Sequence, residues 1–141
     1  MSTRSIIGIK TNDGTIKSVY CHHDGYLSYN GVILASHYTT AEKVEKLISL
    51  GDLSTLGIDP CAPYNDSKFG VVDYHRWRNE SIKISFYKNE NKFLEECSAY
   101  WIDFIYLFDE KNKEWSYLEL SKNTILKSLK PELVKLNLIR Q

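Results

Sequence analysis

Two β-rich runs, Ser5-Ile6-Ile7-Gly8-Ile9-Lys10 and Ile16-Lys17-Ser18-Val19-Tyr20-Cys21, flank Asn12-Asp13-Gly14. Asp-Gly supplies the backbone freedom that a tight reversal between strands needs, so this stretch commits the chain to open with a β-hairpin. A second pair of runs, Tyr100 to Phe108 and Trp115 to Leu120, is joined by Glu110-Lys111-Asn112-Lys113 and is apolar on nearly both faces. Such a hairpin belongs in the middle of a sheet, where neighbours cover both sides. Residues Ser81 to Tyr87 alternate Ile82, Ile84 and Phe86 with Lys83, Ser85 and Tyr87, the period of a half-buried strand.

Helical signals lie between these strands. Val32-Ile33-Leu34 with His37-Tyr38 reads as a short helix. Thr39 followed by Glu42 matches a capping box, and a helix from about Ala41 to Leu50 follows, with Val44, Leu47 and Ile48 on its apolar face and Gly51 as its stop. Asp52 to Gly57 reads as a short turn. Asn89 can cap a helix carrying Phe93, Leu94 and Cys97. Near the end, Ile125, Leu126 and Leu129 precede Pro131, which predicts two short helices rather than one. Ile58 to Ser67, with Pro60 and Pro63, is the one long loop and the place for a lid. With 141 residues, 43% of them hydrophobic, the chain is expected to form one domain, residues 1–141. Its predicted class is α+β, an antiparallel sheet built from hairpins and flanked by short helices.

Composition narrows the function. Lysine and arginine balance aspartate and glutamate at 18 each, which argues against a protein that tracks nucleic-acid backbones. The excess of Lys122, Lys127, Lys130, Lys135 and Arg140 over Glu132 is explained by a solvated helix face. The longest apolar run is broken by Asp103, and no basic segment followed by an apolar stretch opens the chain, so a soluble protein with no membrane partner is expected. Cys21, Cys61 and Cys97 are odd in number and widely spaced, a pattern of buried free thiols rather than of disulfides or a zinc ribbon.

Two clusters carry chemistry. Tyr20-Cys21-His22-His23-Asp24-Gly25-Tyr26 combines two imidazoles, a carboxylate and two phenols. Strand alternation sends His22 and His23 to opposite faces, which disfavours a shared metal ion, and no ligand spacing such as His-Glu-x-x-His occurs. Asp24-Gly25 is in the first instance a turn. The functional alternative places His23, Asp24 and Tyr26 at the rim of a pocket, hydrogen-bonding a ligand while the ring stacks on it. His75-Arg76-Trp77-Arg78 is the second cluster: guanidinium groups pair with phosphate and an indole stacks on a base, although a solvated strand or loop with Trp77 in the core is the favoured account of it. Neither a nucleophile elbow nor a Gly-rich phosphate loop is present, so the sequence leans away from an enzyme and names no cofactor.

Thr3-Arg4-Ser5-Ile6-Ile7-Gly8-Ile9, Asp13-Gly14, the segment from Tyr20 to Tyr26, Gly31, Leu34, His37-Tyr38, Lys43-Val44, Leu47-Ile48 and Leu50-Gly51-Asp52-Leu53-Ser54 together resemble a family of small proteins of tailed bacteriophages and prophages. The resemblance covers residues up to about Gly57 and thins beyond it. It implies a viral origin, the host cytoplasm as location, and an accessory role against host defence, and it brings no catalytic residues. Three readings follow. The first is sequestration of a nucleotide-like immune signal by Arg4, His23, Asp24, Tyr26, Arg76, Trp77 and Arg78. The second is inhibition of a host protein through a tyrosine-rich surface, ten tyrosines being present. The third, ranked last, is a metal-assisted hydrolase on His22, His23, Asp24 and His37. Sheet edges and abundant rings also point to a homodimer.

Overall fold

The first hairpin forms where its turn chemistry places it. In the computed structural model, which describes residues 3–60, 71–73, 81–99 and 101–140, β1 (Ser5–Lys10) pairs antiparallel with β2 (Ile16–Cys21), Ile6 opposite Tyr20 and Gly8 opposite Ser18. Gly14 takes φ +90°, and one Asp13 carboxylate oxygen accepts the Thr15 N–H at 3.0 Å and the Thr15 hydroxyl at 2.7 Å. Hydrogen bonds from the Thr11 hydroxyl, and then from Thr15, hold the Asp13 carboxyl down to about 2 from its ordinary 3.8. Because the folded value is the lower one, the stabilisation is fully present above the unfolded value near 4 and is lost as pH falls toward 2. An NMR titration should place the Asp13 midpoint near 2, and the variant Thr11→Val should raise it; an unmoved midpoint would show that the hydroxyl does not hold the charge.

Six further strands complete one sheet: β3 (Leu53–Thr55), β4 (Val72–Asp73), β5 (Ser85–Tyr87), β6 (Phe104–Asp109), β7 (Glu114–Glu119) and β8 (Lys127–Ser128). The order is β4-β3-β2-β1-β6-β7-β8, with β5 also on β2. The class is α+β, but the sheet is mixed rather than antiparallel. β1 runs parallel to β6, Ser5 opposite Phe104, and β2 meets β3 in parallel at Cys21 and Leu53. The reason is topological: each hairpin is antiparallel within itself, while the two hairpins are joined through their first strands after a long excursion, and that joint is free to be parallel. As expected of its two apolar faces, β6 is central and buried from Phe104 to Phe108.

Odd and even positions on β1 and β2 serve different cores. Ile7, Ile9, Val19 and Cys21 join Phe104, Tyr106, Phe108, Trp115 and Tyr117 on a first face. That face is covered by α1 (Val32–His37), α2 (Ala41–Ile48) and α4 (Leu129–Lys135), through Leu34, Val44, Leu47, Ile48, Leu129 and Leu133. Trp115 Nε1–H donates to the Tyr38 carbonyl at 2.8 Å, and the Tyr38 hydroxyl donates to the Gly57 carbonyl at 2.7 Å, so the end of α1 is tied to β7 and to the chain after β3. The second face, with Ile6, Ile16, Ile105, Leu107 and Leu118, is covered by α3 (Glu90–Cys97) through Phe93 and Cys97. Asn89 caps α3 as expected, accepting the Lys92 N–H at 2.9 Å.

Several local expectations shift. Thr40, not Thr39, caps α2, accepting the Lys43 N–H at 3.2 Å, and the helix ends at Ile48 ahead of Gly51 at φ +81°. Residues 53–55 form β3 instead of a turn, because the backbone of β2 offers them a parallel partner. A π-helical turn, Leu27–Gly31, precedes α1. In β5 the packed ring is Tyr87, 5.2 Å from Phe93, while Phe86 is 70% exposed. The C-terminal region holds one helix, not two: α4 begins before Pro131, which sits in its first turn, and Lys127–Ser128 pairs with β7 as β8. The expected lid lies largely at residues 61–67, outside the described residues. No helix among the described residues is long and apolar enough to cross a membrane.

Candidate functional site

On the second face, a cleft of about 370 Å³ opens where the ends of β1, β2 and β5 meet the chain around Asp52 and the chain before β6. Strand register explains its floor and one wall. Ile6, Ser18 and Tyr20 share the even face of the first hairpin, and Arg4 continues that face beyond the start of β1.

The second wall comes from far along the chain. The Arg4 N–H donates to an Asp103 carboxylate oxygen at 2.9 Å, and the Arg4 carbonyl accepts the N–H of Asp103 at 3.0 Å and of Phe104 at 3.2 Å. The parallel joint of β1 and β6 therefore sets Trp101 and Ile102 beside Arg4 on the cleft. Trp101 is 88% exposed.

A relay of backbone contacts delivers the remaining cation. The Tyr20 N–H donates to Asp52 Oδ1 at 2.9 Å, and the Asp52 N–H donates to the Lys83 carbonyl at 3.0 Å. Gly51 makes this approach feasible: a Cβ there would stand 3.0 Å from both Ile82 Cβ and the Lys83 nitrogen, and its φ of +81° is one that residues with a side chain rarely adopt. Lys83 and Arg4 are both exposed and both line the cleft, with Asp52 as its carboxylate.

The base of the cleft is polar. Tyr87 lines the cleft together with Ser18 and Ser85, and Cys97 Sγ lies 3.9 Å from its phenol oxygen. Burial is the main cause that pushes the phenol up to about 12, so it stays protonated and available as a hydrogen-bonding group. Tyr20 adds a third ring, and its hydroxyl lies 2.7 Å from His22 Nδ1.

The residues singled out in the sequence do not all arrive here. Arg4 does. His23, Asp24 and Tyr26 are not among the described residues that line the cleft. His22 and His23 do not point apart: their rings meet edge to face at 4.7 Å, because β2 ends at Cys21 and strand alternation lapses with it. Asp24 takes φ +58°, accepts the Tyr26 hydroxyl at 3.1 Å, and stands in a corner with Tyr29, whose ring is 6.4 Å from that of Tyr26. The hydrogen bond to Asp24 is the first cause that raises the Tyr26 phenol. Arg76, Trp77, Arg78 and His75 lie outside the described residues.

Gly25 makes that corner structural. Its N–H donates to the Thr3 carbonyl at 2.8 Å, and its carbonyl accepts the buried Tyr106 hydroxyl at 2.6 Å. The Asn30 amide reaches Ser5 Oγ at 3.2 Å and the His23 carbonyl at 3.4 Å from full burial. Among the described residues no group of three or more His, Cys, Asp or Glu side chains is placed to hold a metal ion. Cys21 and Cys97 are buried free thiols, each pushed up to about 11, first by burial, so neither is a ready nucleophile at neutral pH.

Two other concavities are larger but poorer in convergent chemistry. A groove of about 520 Å³ between α1, β7 and α4 is lined chiefly by Ala35, Trp115, Pro131 and Val134. One of about 640 Å³ lies along the charged face of α2, at Glu42, Lys43, Glu45 and Lys46. Rings, hydroxyls and two cations meet in the cleft at Arg4. Sequence reasoning missed Tyr20, Asp52, Lys83, Tyr87 and Trp101 there. The pairing of Ile6 with Tyr20 across the first hairpin is the local signal that could have found Tyr20, whereas the others are joined to the hairpin by contacts distant in sequence.

Compared with known protein families, curated proteins and solved structures, the chain matches none.

Proposed function

We propose that this chain is a phage accessory protein that acts in the host cytoplasm by binding and sequestering a nucleotide-like signal of host defence, without transforming it. One observation carries this reading: Arg4 and Lys83 share a cleft with the rings of Tyr20, Tyr87 and Trp101. Guanidinium and ammonium groups attract phosphate, and an exposed indole offers its face to a base at a contribution of about 1–3 kcal/mol. The buried, protonated thiols supply no activated nucleophile beside it.

Calorimetric titration of the purified protein with cyclic nucleotides and ADP-ribose-type signals should give saturable binding, with the ligand recovered intact. Trp101→Ala should weaken that binding roughly tenfold or more. A second reading, inhibition of a host protein, is favoured by the 70% exposed Phe86 on β5 and the 46% exposed Ile82. Absence of heat with every nucleotide, together with a host protein retained by the native chain and released by Phe86→Asp, would move the assignment there.

A further inference from the structure

The same cleft limits the size and charge of what it can take, an inference that rests on the nucleotide reading above. Its volume of about 370 Å³ is at the low end of the roughly 300–1,000 Å³ common for small-molecule sites. One base, one sugar and one phosphate are of that scale; a second nucleoside would lie outside the walls.

Charge points the same way. The cleft offers two cations, Arg4 and Lys83, and one carboxylate, Asp52. A phosphomonoester carries about −1.5 to −2 at neutral pH, which two cations match. A triphosphate brings further negative charge with no additional cation among the described lining residues to meet it. The Tyr87 phenol with Ser18 and Ser85 at the base supplies hydrogen-bonding partners for the hydroxyls or base edge of a single nucleoside.

We infer that the cleft is a nucleoside monophosphate site, with the base stacked on Trp101 and the phosphate held by Arg4 and Lys83. Longer or more highly phosphorylated ligands engage it through one nucleotide unit only. The two cations therefore read the phosphate, and the indole reads the base.

The full chain is titrated by calorimetry with the four nucleoside 5′-monophosphates, the parent nucleosides, the magnesium-free triphosphates and a cyclic dinucleotide. At least one monophosphate should bind, its nucleoside should bind roughly ten- to a hundredfold more weakly, and neither the triphosphate nor the cyclic dinucleotide should bind more tightly. Arg4→Gln and Lys83→Gln, both at exposed positions, should bring the monophosphate down toward its nucleoside and leave the nucleoside unchanged, whereas Trp101→Ala should weaken both. A cyclic dinucleotide or triphosphate that binds tenfold more tightly than any monophosphate overturns the inference and leaves the nucleotide reading standing. Monophosphate binding that ignores both cation substitutions overturns it too, as does no binding by any of these compounds, and silence with ADP-ribose and the cyclic mononucleotides as well removes the nucleotide reading.

Discussion

Replacing Tyr106 by Ala should lower the free energy of unfolding by about 3–5 kcal/mol, and replacing it by Phe should lower it by about 1–3 kcal/mol. The two substitutions separate packing from hydrogen bonding at one position. Tyr106 is fully buried in the central strand, and its ring lies parallel to that of Phe104 with centroids 6.0 Å apart. Truncation to Ala therefore leaves a cavity that strands on both sides cannot close. Phe fills the same space but leaves the Gly25 carbonyl without the hydroxyl that now donates to it at 2.6 Å. Urea unfolding gives both values from the transition midpoint. A Phe variant as stable as the native chain would mean that the corner at Gly25 does not depend on this hydrogen bond.

The second large effect is expected at Gly25 itself. Gly25→Val should cost about 3 kcal/mol, the upper part of the range for forcing atoms into a packed site. A Cβ at this position would stand 2.9 Å from both the Thr3 carbonyl oxygen and Ser5 Cβ, and 3.1 Å from the Arg4 carbonyl carbon. Those neighbours are backbone or close to it, and they have little room to retreat, since both the N–H and the carbonyl of Arg4 are engaged by Asp103. The same displacement moves the start of β1, so ligand affinity at the Arg4 cleft should fall along with stability. Ser28→Ala, at an exposed position three residues on, provides the comparison and should stay within about 0.5 kcal/mol. Equal stability of the two variants would show that the corner is looser than its contacts imply.

These two positions alter the meaning of the segment from Tyr20 to Tyr26. Its mixed chemistry invites a functional reading, yet Cys21 is buried, Gly25 is wedged against the first strand, and Asp24 is occupied by Tyr26. Much of its composition serves a corner that leads β2 into the π-helical turn. Tyr20 is the member that lines the cleft, with His22 behind it.

Much of the architecture could be read from local chemistry. Asp13-Gly14 announced the first hairpin, Asn89 announced α3, and the two-sided apolar run before Asp109 announced a central strand. Each of these depends on residues within one turn of one another, or on the period of a single strand. Where a neighbour in space competed, local reading slipped. Leu53–Thr55 became a strand because β2 lay beside it, and Lys127–Ser128 left a helical pattern to pair with β7.

By itself, then, the sequence determined the two hairpins, the Asn89 cap of α3 and the buried thiols at Cys21 and Cys97. Only the tertiary structure decided that the two hairpins join in parallel, that Arg4 meets Asp103 across 99 residues, and that Asp52 carries Lys83 to the same cleft. The physical reason is range. Turn and cap preferences act through bonds and hydrogen bonds over a few residues, whereas a strand edge accepts any extended partner, and the choice among partners is made by burial of the whole sheet.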